Sequence, residues 1–253
     1  MRLDKYLVEK GFVETRNRAN ILLEKGLVLV NDKIQKPSYN VKELDEIKIV
    51  ESIKYVSMGG YKLEKAINTF SINLKDKICA DIGCSKGGFT QCMLINGAKN
   101  VYAIDVSISE LDESLIKNNK VITKEINARE LSSKTFRDKM DFIAVDCSFI
   151  SVKYILNNLL AFLSTKGEMV ILLKPQFECG ANNLTKSGIV KNKKILINLC
   201  KEYFLYFSQK GLKVKGFTFA PIRENKNIEF LFYLSIIGET IDIRKIEEII
   251  GEL

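Results

Sequence analysis

The stretch Ile78–Ser107, ICADIGCSKGGFTQCMLINGAKNVYAIDVS, decides the fold of this chain. Its pattern is typical of a buried strand, a glycine-rich turn, a helix and a second strand that ends at Asp105. The dinucleotide fingerprint G-x-G-x-x-G requires a glycine where the backbone approaches a pyrophosphate. Ser85 stands at that position. The turn therefore fits a dinucleotide poorly and favours a ligand without a pyrophosphate.

A glycine turn of this kind still exposes amide groups that can bind a carboxylate near the start of a helix. Asp105, at the end of the next strand, is placed to accept hydrogen bonds from ribose hydroxyls. S-adenosylmethionine combines a nucleoside with a small charged tail and has no phosphate. The sequence therefore favours this cofactor, and the alternative is a plain glycine turn with Asp105 as a helix cap.

From residue 60 onward, apolar strand patterns alternate with helical patterns. The predicted strands are 77–82, 100–105, 120–124, 141–146, 168–174, 213–220 and 228–236; the predicted helices are 88–96, 109–117, 151–163 and 192–210, before an amphipathic tail. Strands such as MVILLK and DFIAVD suit a sheet that is buried on both faces. The alternation predicts a doubly wound, Rossmann-like α/β domain whose ligands bind at the carboxyl ends of the strands.

The N-terminal region has the pattern of a separate small α+β domain. Two amphipathic helices, the second capped by Thr15, precede a hairpin that turns at Asn31-Asp32 and a further strand, EIKIV. The polar segment ESIKYVSMGG follows and is interpreted as a connector. We therefore predict domains at 1–53 and 60–253, joined by a linker at 54–59.

The amino-acid composition limits the possible partners, cell compartments and catalytic groups. The net charge is +8, which favours an anionic partner such as nucleic acid. The chain has six cysteines without a CxxC pair, no apolar run of membrane-spanning length and no signal-peptide pattern, so we expect a cytoplasmic protein without stable membrane insertion. Because there is no histidine, proton transfer must use Lys, Asp, Glu, Tyr or Cys, and no metal site is expected.

Seven motifs, in order along nearly the whole chain, resemble the TlyA family. They are RLDKYLVEKGF, TRNRAN, YVSMGGYKLEKA, DIGCSKGGFT, VDCSFIS, LLKPQFE and NIEFLF. Members of that family join an RNA-binding module of the ribosomal-protein-S-four type to an FtsJ-like methyltransferase domain. The resemblance implies S-adenosylmethionine-dependent 2′-O-methylation of ribosomal RNA, typically at cytidine, within ribosomal subunits. Some members carry a haemolysin label.

The resemblance also implies a Lys-Asp-Lys-Glu catalytic set, which falls on Lys62, Asp146, Lys174 and Glu229. Lys174 follows an apolar strand and precedes Pro175, where burial or a second ammonium would favour a neutral amine. We interpret Lys174 as the base or as the group that orients the nucleophile. Lys62 and Glu229 would position the ribose, and Asp146 would lie between cofactor and substrate.

The same family pattern assigns the remaining site residues. The cofactor-binding set comprises Asp81, Gly83, Cys84, Ser85, Gly87, Gly88, Phe89, Asp105, Val106, Asn127 and Asp146, and the RNA-binding set comprises Arg2, Lys5, Arg16 and Arg18. Arg16 and Arg18 are expected to contact phosphates. Contacts of this type recognise folded RNA by shape more than by sequence.

Several positions depart from the family pattern. Met58 stands where arginine is usual, and Cys84 and Lys86 replace the usual small residue and threonine of the turn. The stretches DVSISELDESLIKNN and APIRENKNIEF also differ from the family sequence, the second by lacking glycines before Glu229. The four catalytic positions are retained.

Other functions stay open at this stage. Adenine amino methylation uses a D/N-P-P-Y motif, but the corresponding place reads DCSF. Methylation of cytosine carbon-5 needs a nucleophilic cysteine, for which Cys147 is the candidate. The remaining alternatives are a haemolysin that acts on membranes and an RNA-binding ribosome factor without turnover.

Overall fold

The computed structural model describes residues 1–50, 54–132 and 134–253. The chain divides into two compact units, Met1–Met58 and Gly59–Leu253. Residues 51–53, at the end of the predicted first domain and the start of the predicted connector, lie outside the described residues. Met58 and Gly59, from the predicted linker, form the first turn of a helix. The exact domain limits stay a prediction.

The N-terminal unit contains two helices and a three-stranded antiparallel sheet. The helices are α1 (Leu3–Glu9) and α2 (Arg16–Glu24), and the strands are β1 (Val28–Val30), β2 (Lys33–Ile34) and β3 (Ile47–Ile49), in the order β2-β1-β3. The side chain of Thr15 accepts a hydrogen bond from the Arg18 amide, which is the N-cap that the sequence predicts. Asn31 and Asp32 turn the hairpin with φ of 52° and 59°, as a two-residue turn of type I′ requires.

The second unit is built on a seven-stranded sheet. Its strands are β4 (Ile78–Ile82), β5 (Asn100–Asp105), β6 (Val121–Glu125), β7 (Met140–Val145), β8 (Leu163–Leu173), β9 (Lys213–Phe219) and β10 (Phe230–Ser235). They lie in the order β6-β5-β4-β7-β8-β10-β9, and β10 runs antiparallel to both of its neighbours. From β4 the chain adds β5 and β6 on one side of the sheet, and it then crosses back to add β7, β8, β10 and β9 on the other side. This reversal places a topological switch point between β4 and β7, where such sheets bind ligands.

Helices accompany this sheet along the chain. They are α3 (Met58–Phe70), α4 (Gly88–Ile95), α5 (Glu113–Ile116), α6 (Leu156–Leu160), α7 (Pro175–Glu178), α8 (Lys193–Gln209) and α9 (Lys245–Gly251). The central strands are almost wholly buried, which explains their continuous apolar sequence. The predicted fold class, a Rossmann-like α/β domain with a small N-terminal α+β unit, is confirmed.

Four sequence predictions need correction. The helix predicted at 109–117 is only α5, because Asp112 caps it in mid-segment by accepting from the Ser114 amide. The helix predicted at 151–163 is reduced to a 3-10 turn and α6, because Leu163 already pairs with Met140 in the sheet. Helix α3 was not predicted. Glu229 lies just before β10 and not within a strand.

Across residues 1–50, 54–132 and 134–253, no helix is long and apolar enough to cross a bilayer. In the same ranges, no group of three or more Cys, Asp or Glu side chains is arranged to hold a metal ion.

Gly216 provides a test of the packing of this sheet. A Cβ atom there would lie 2.4 Å from two atoms of the Phe70 ring, and that ring stacks on Tyr233 with a centroid distance of 5.4 Å. Since the ring has little freedom to move, Gly216→Ala should lower the free energy of unfolding by about 2 kcal/mol. Urea titration followed by circular dichroism measures the change. Gly251→Ala, where a Cβ would meet nothing within 4 Å, is the control and should leave stability unchanged or raise it slightly, because alanine favours helix. Equal stability of both variants would contradict the packing.

Candidate active site

The turn after β4 is fixed to the neighbouring strands. The amides of Gly83 and Cys84 both donate to the Ile104 carbonyl, at 2.8 and 3.0 Å. Gly83 has φ of 86°, and a Cβ atom there would lie 2.9 Å from the Asp146 carbonyl oxygen. Glycine is therefore required both by the backbone conformation and by the close approach of the segment after β7.

Asp105 is held by the same turn. One carboxylate oxygen accepts from the Ser85 amide at 2.8 Å, and the other accepts from the Val106 amide at 2.7 Å. Ser85 itself adopts φ of 44°, in the left-handed region. These two hydrogen bonds fix the carboxylate at the edge of the sheet and leave it lone pairs for a ligand, since an ionised carboxylate offers about four acceptor sites.

Asp81 supports the turn from beneath. Its side chain is wholly buried, and one oxygen accepts from the amide and hydroxyl of Thr90, at 2.8 and 2.7 Å. Burial, with the nearby carboxylates of Asp146 and Asp105 adding to it, raises the pKa of Asp81 to about 7. The group is therefore poised between its neutral and ionised forms near neutral pH.

A cleft of about 560 Å³ opens at the carboxyl ends of β4, β5 and β7. Among the predicted cofactor-binding residues, those that line it are Gly83, Ser85, Asp105, Val106, Asn127 and Asp146. The others do not reach it in the described part of the chain: Asp81, Cys84, Gly87, Gly88 and Phe89 are buried. Gly87 packs against Leu115 and Phe89 belongs to α4, so these residues shape the turn.

The cleft is acidic. Its charged lining residues among those described are Asp105, Glu110, Asp146 and Arg129. Asp146 is paired with Lys174, and the other two carboxylates against one guanidinium still disfavour a phosphorylated ligand and favour one that carries positive charge.

The four residues of the predicted catalytic set form two ion pairs. Lys174 Nζ lies 2.6 Å from Asp146 Oδ1, and Lys62 Nζ lies 2.6 Å from Glu229 Oε2. All four side chains are largely buried, with exposures between 9% and 18%. Phe230 pairs with Leu173 in the antiparallel ladder, so Glu229 and Lys174 are neighbours at the end of the sheet. The structure therefore brings the two pairs to one edge.

Lys174 makes a second contact, which the sequence did not reveal. Its Nζ donates to Ser148 Oγ at 2.8 Å. Ser148 belongs to the motif DCSF, which the sequence analysis quoted without giving this serine a role. Together with Asp146, it fixes the position of the ammonium group.

Phe149, in the same motif, is the second residue that the sequence analysis missed. Its backbone has φ of 62°, and its side chain is 87% exposed at the cleft, next to the Phe177 ring with a centroid distance of 4.9 Å. A bulky residue in the left-handed region with an exposed ring is strained, and such strain concentrates at functional sites. The residue type and exposure fit a surface on which a base can stack.

Cys147 lies beside Asp146, where a carbon-5 methylase would need a nucleophile. Burial raises the pKa of this thiol to about 12. A neutral thiol is a poor nucleophile. The structure therefore disfavours this alternative chemistry.

The predicted RNA-binding residues lie on the two helices of the N-terminal unit. Arg2 and Arg16 both form ion pairs with Asp4, at 3.0 and 2.6 Å, whereas Arg18 pairs with Glu14 at 2.8 Å. Lys5 is exposed on α1. The structure thus places three of these side chains in defined ion pairs.

Comparison with known proteins gives the family. Residues 55–235 match the FtsJ-like methyltransferase model, and residues 1–47 match the S4 domain model. The chain belongs to the FtsJ-like methyltransferase family. Both units of the structure therefore correspond to a recognised domain type.

Relatives agree along nearly the full length. Hemolysin A of Brachyspira hyodysenteriae is 37% identical over 240 residues, which cover 93% of this chain and 100% of that protein. The 23S rRNA (cytidine-2′-O)-methyltransferase TlyA of Campylobacter jejuni is 32% identical over 258 residues, covering 92% and 98%. A solved structure from Streptococcus thermophilus, described as a hemolysin, is 35% identical with a TM-score of 0.78, covering 100% and 94%. The resemblance to the TlyA family is confirmed.

Asp81 gives this FtsJ-like methyltransferase a specific dependence of stability on pH. A carboxyl whose pKa is raised on folding binds more protons in the folded state between pH 4 and 7, so stability falls as pH rises through that window. We expect Asp81→Asn, which cannot ionise, to remove this loss. Chemical unfolding at pH 4 to 7 measures the difference between the two proteins. Glu113→Gln alters a surface acid that is 84% exposed, and its curve should follow that of the wild type. A variant that loses stability with rising pH as steeply as the wild type would show that the loss does not come from Asp81.

Proposed function

We propose that this protein transfers a methyl group from S-adenosylmethionine to the 2′-hydroxyl of a cytidine in ribosomal RNA, within a ribosomal subunit. The proposal depends on one observation. Two buried Lys-acid ion pairs, Lys174–Asp146 and Lys62–Glu229, meet at the edge of the sheet where Asp146 also lines the acidic cleft. Membership of the FtsJ-like family and similarity to a relative named as a 23S rRNA (cytidine-2′-O)-methyltransferase support it.

The cleft suits S-adenosylmethionine. Its volume of about 560 Å³ is in the range of small-molecule sites, and its acidic lining favours a cationic sulfonium. The turn Gly83–Ser85 would face the amino-acid tail, and Asp105 would accept hydrogen bonds from the ribose. When bound, the cofactor supplies a methyl group activated by the positive sulfur.

The residues at the sheet edge supply alignment and proton handling. Displacement at a methyl group requires the attacking oxygen to be held in line. We assign Lys174 to the hydroxyl: in its neutral amine form it orients the hydroxyl and takes its proton as the oxygen attacks the methyl group, and so becomes an ammonium. Asp146 and Ser148 fix the Lys174 ammonium, and the pair Lys62–Glu229 holds the ribose from the adjoining strand end.

We assign RNA recognition to the N-terminal unit. Its match to the S4 domain and its cluster of exposed and half-exposed Arg and Lys side chains support this role. The net charge of +8 favours an RNA partner. Ribosomal subunits are cytoplasmic, so we place the activity in the cytoplasm.

Replacement of Lys174 tests the proposal. Lys174→Ala removes the group that orients and deprotonates the hydroxyl, and it should lower kcat for methyl transfer by about 10³-fold. The assay transfers labelled methyl from S-adenosylmethionine to purified unmodified ribosomal subunits, and the RNA is then digested to nucleosides. Label should appear on the ribose of cytidine.

Lys245→Ala is the matched control, because it also removes a lysine from an ion pair, with Glu248 on α9. Its kcat should equal that of the wild type. Label on a base would contradict ribose chemistry. Cofactor binding without transfer to any RNA would instead indicate an RNA-binding factor without turnover, and lysis of membranes by the purified protein without the cofactor would indicate a haemolysin.

Phe149 should act in binding of the substrate base. Phe149→Ala removes an exposed ring, and the loss of one base-stacking contact should raise KM for the subunit about tenfold. Ile222→Ala, a replacement of another exposed apolar side chain, is the control and should leave KM unchanged. Steady-state transfer kinetics measure both. Equal KM values for Phe149→Ala and wild type would refute stacking.

A further inference from the structure

Asp4 is a buried carboxylate at the start of α1. Its side chain is 1% exposed, although this helix lies at the surface of a small unit. Buried acids are rare in proteins unless they are paired, because removal of the charge from water is costly. A buried Asp4 therefore requires partners that stabilise its charge.

Four donors surround this carboxylate. Oδ1 accepts from Arg2 Nε and from the Lys5 amide, both at 3.0 Å, and Oδ2 accepts from Arg2 Nη2 at 3.2 Å and from Arg16 Nη2 at 2.6 Å. Arg2 precedes α1, whereas Arg16 begins α2. Asp4 thus links the first turns of the two helices. The Arg2 hydrogen bonds, with the contribution of Arg16, lower the pKa of Asp4 to about 2, so the carboxylate is ionised under all physiological conditions.

The two arginines are fixed by Asp4 but face solvent. The Arg2 and Arg16 side chains are 49% and 54% exposed. A guanidinium has five N–H donors. Asp4 takes two from Arg2 and one from Arg16, so both groups retain donors for a further anion. Two guanidinium groups and one carboxylate leave the cluster with a net positive charge.

Arg18 is held differently. Its partner Glu14 is 81% exposed and lies four residues earlier, so the two form an ordinary surface ion pair. Pairs of this type are weak and screened by salt. Arg18 therefore lacks a rigid buried anchor like that of Arg2 and Arg16.

We infer that Asp4 is a positioning residue that holds Arg2 and Arg16 side by side as one binding site for a backbone phosphate of RNA. Guanidinium groups bind phosphate oxygens through paired N–H donors, and a fixed pair loses less side-chain freedom on binding than two mobile ones. The inference deepens the proposed function and rests on it only in that the ligand is RNA. It also separates Arg2 and Arg16 from Lys5 and Arg18, which the sequence placed in one set.

Replacement of Asp4 distinguishes two roles, because an effect of charge alone and an effect on arginine positioning change the affinity for RNA in opposite directions. Asp4→Asn removes one negative charge from an RNA-binding surface, and charge alone would strengthen binding to RNA. If Asp4 positions the arginines, the same change should raise Kd for unmodified ribosomal subunits about tenfold, because a charge-assisted contact is lost. KM for methyl transfer should rise with Kd while kcat stays unchanged. Filter binding of the full chain at several KCl concentrations measures Kd and its dependence on salt.

Glu14→Gln is the matched control. It causes the same change in charge on the same pair of helices, but it releases Arg18 instead of Arg2 and Arg16. We expect its Kd to stay equal to or below that of the wild type. Loss of one phosphate contact should also reduce the slope of log Kd against log salt by about one in Asp4→Asn and not in Glu14→Gln.

A second set of variants avoids the buried position, where a substitution can unfold α1. Arg2→Gln, Arg16→Gln and the double variant alter half-exposed side chains. If both arginines serve one phosphate, the double variant should bind hardly worse than either single variant. Hydrogen exchange at the α1 amides shows whether each variant keeps the helix folded.

Any of four results would overturn the inference: tighter binding by folded Asp4→Asn, additive losses in the arginine variants, weaker binding with an unchanged salt slope, or variants that all match the wild type. These results are distinct from failure of the proposed function. If the wild type transfers no methyl group to ribosomal RNA, the proposed function fails whatever the variants do. If the wild type transfers methyl and all Asp4 and arginine variants match it, the phosphate site alone is wrong.

Discussion

The close approach of Gly83 to the backbone of Asp146 is the contact on which the site depends. The Asp146 amide donates to the Ile82 carbonyl at 2.9 Å, and a Cβ atom on Gly83 would lie 2.9 Å from the Asp146 carbonyl oxygen. The ends of β4 and β7 are therefore locked together just where both strands stop. Since Asp146 also lines the cleft and pairs with Lys174, this one contact sets the position of the catalytic edge relative to the cofactor turn.

A protein without histidine has few kinds of side chain that can serve as catalytic groups at a site shielded from water. Here, each lysine of the candidate catalytic set is paired with an acid, and each pair joins different parts of the chain: the segments that follow β7 and β8, and α3 with the segment before β10. Breaking a buried pair would leave a charge without a partner, which is strongly destabilising. The pairs thus make the geometry of the edge part of the stability of the fold.

Local signals predicted most of the fold. Asn31-Asp32 correctly predicted the hairpin, and Thr15 correctly predicted the start of α2. The apolar runs located every strand of the large sheet to within a few residues, except the start of β8. Two of the failures have nonlocal causes. The pairing of Leu163 with Met140 extends β8 into a segment whose own pattern is helical. Helix α3 was missed because Gly59 and Gly60 lie in its first turn and glycine disfavours helix. In the folded protein, packing overrides that preference.

The candidate site was predictable only in part, and for the same reason. The glycine turn and Asp105 can be read from spacing, but Lys62 and Glu229 stand far apart in the chain and were assigned through the family resemblance. Nothing in the sequence indicates that Ser148 bonds Lys174. The positive φ of Phe149 is also hidden, because a phenylalanine rarely adopts it and no local residue requires it.

The acidic lining of the cleft makes a separate RNA-binding unit useful to such an enzyme. The two catalytic pairs are electrically neutral, and the cleft beside them is acidic, so this edge of the sheet does little to attract a polyanion. Binding energy from parts of a substrate that do not react can still be used to align the reacting group. In this chain, the net charge of +8 comes from residues outside the lining of the cleft, which is itself acidic. Asp4 shows one way in which this positive charge is used. Its buried carboxylate cancels one unit of positive charge, but it holds two exposed guanidinium groups in place.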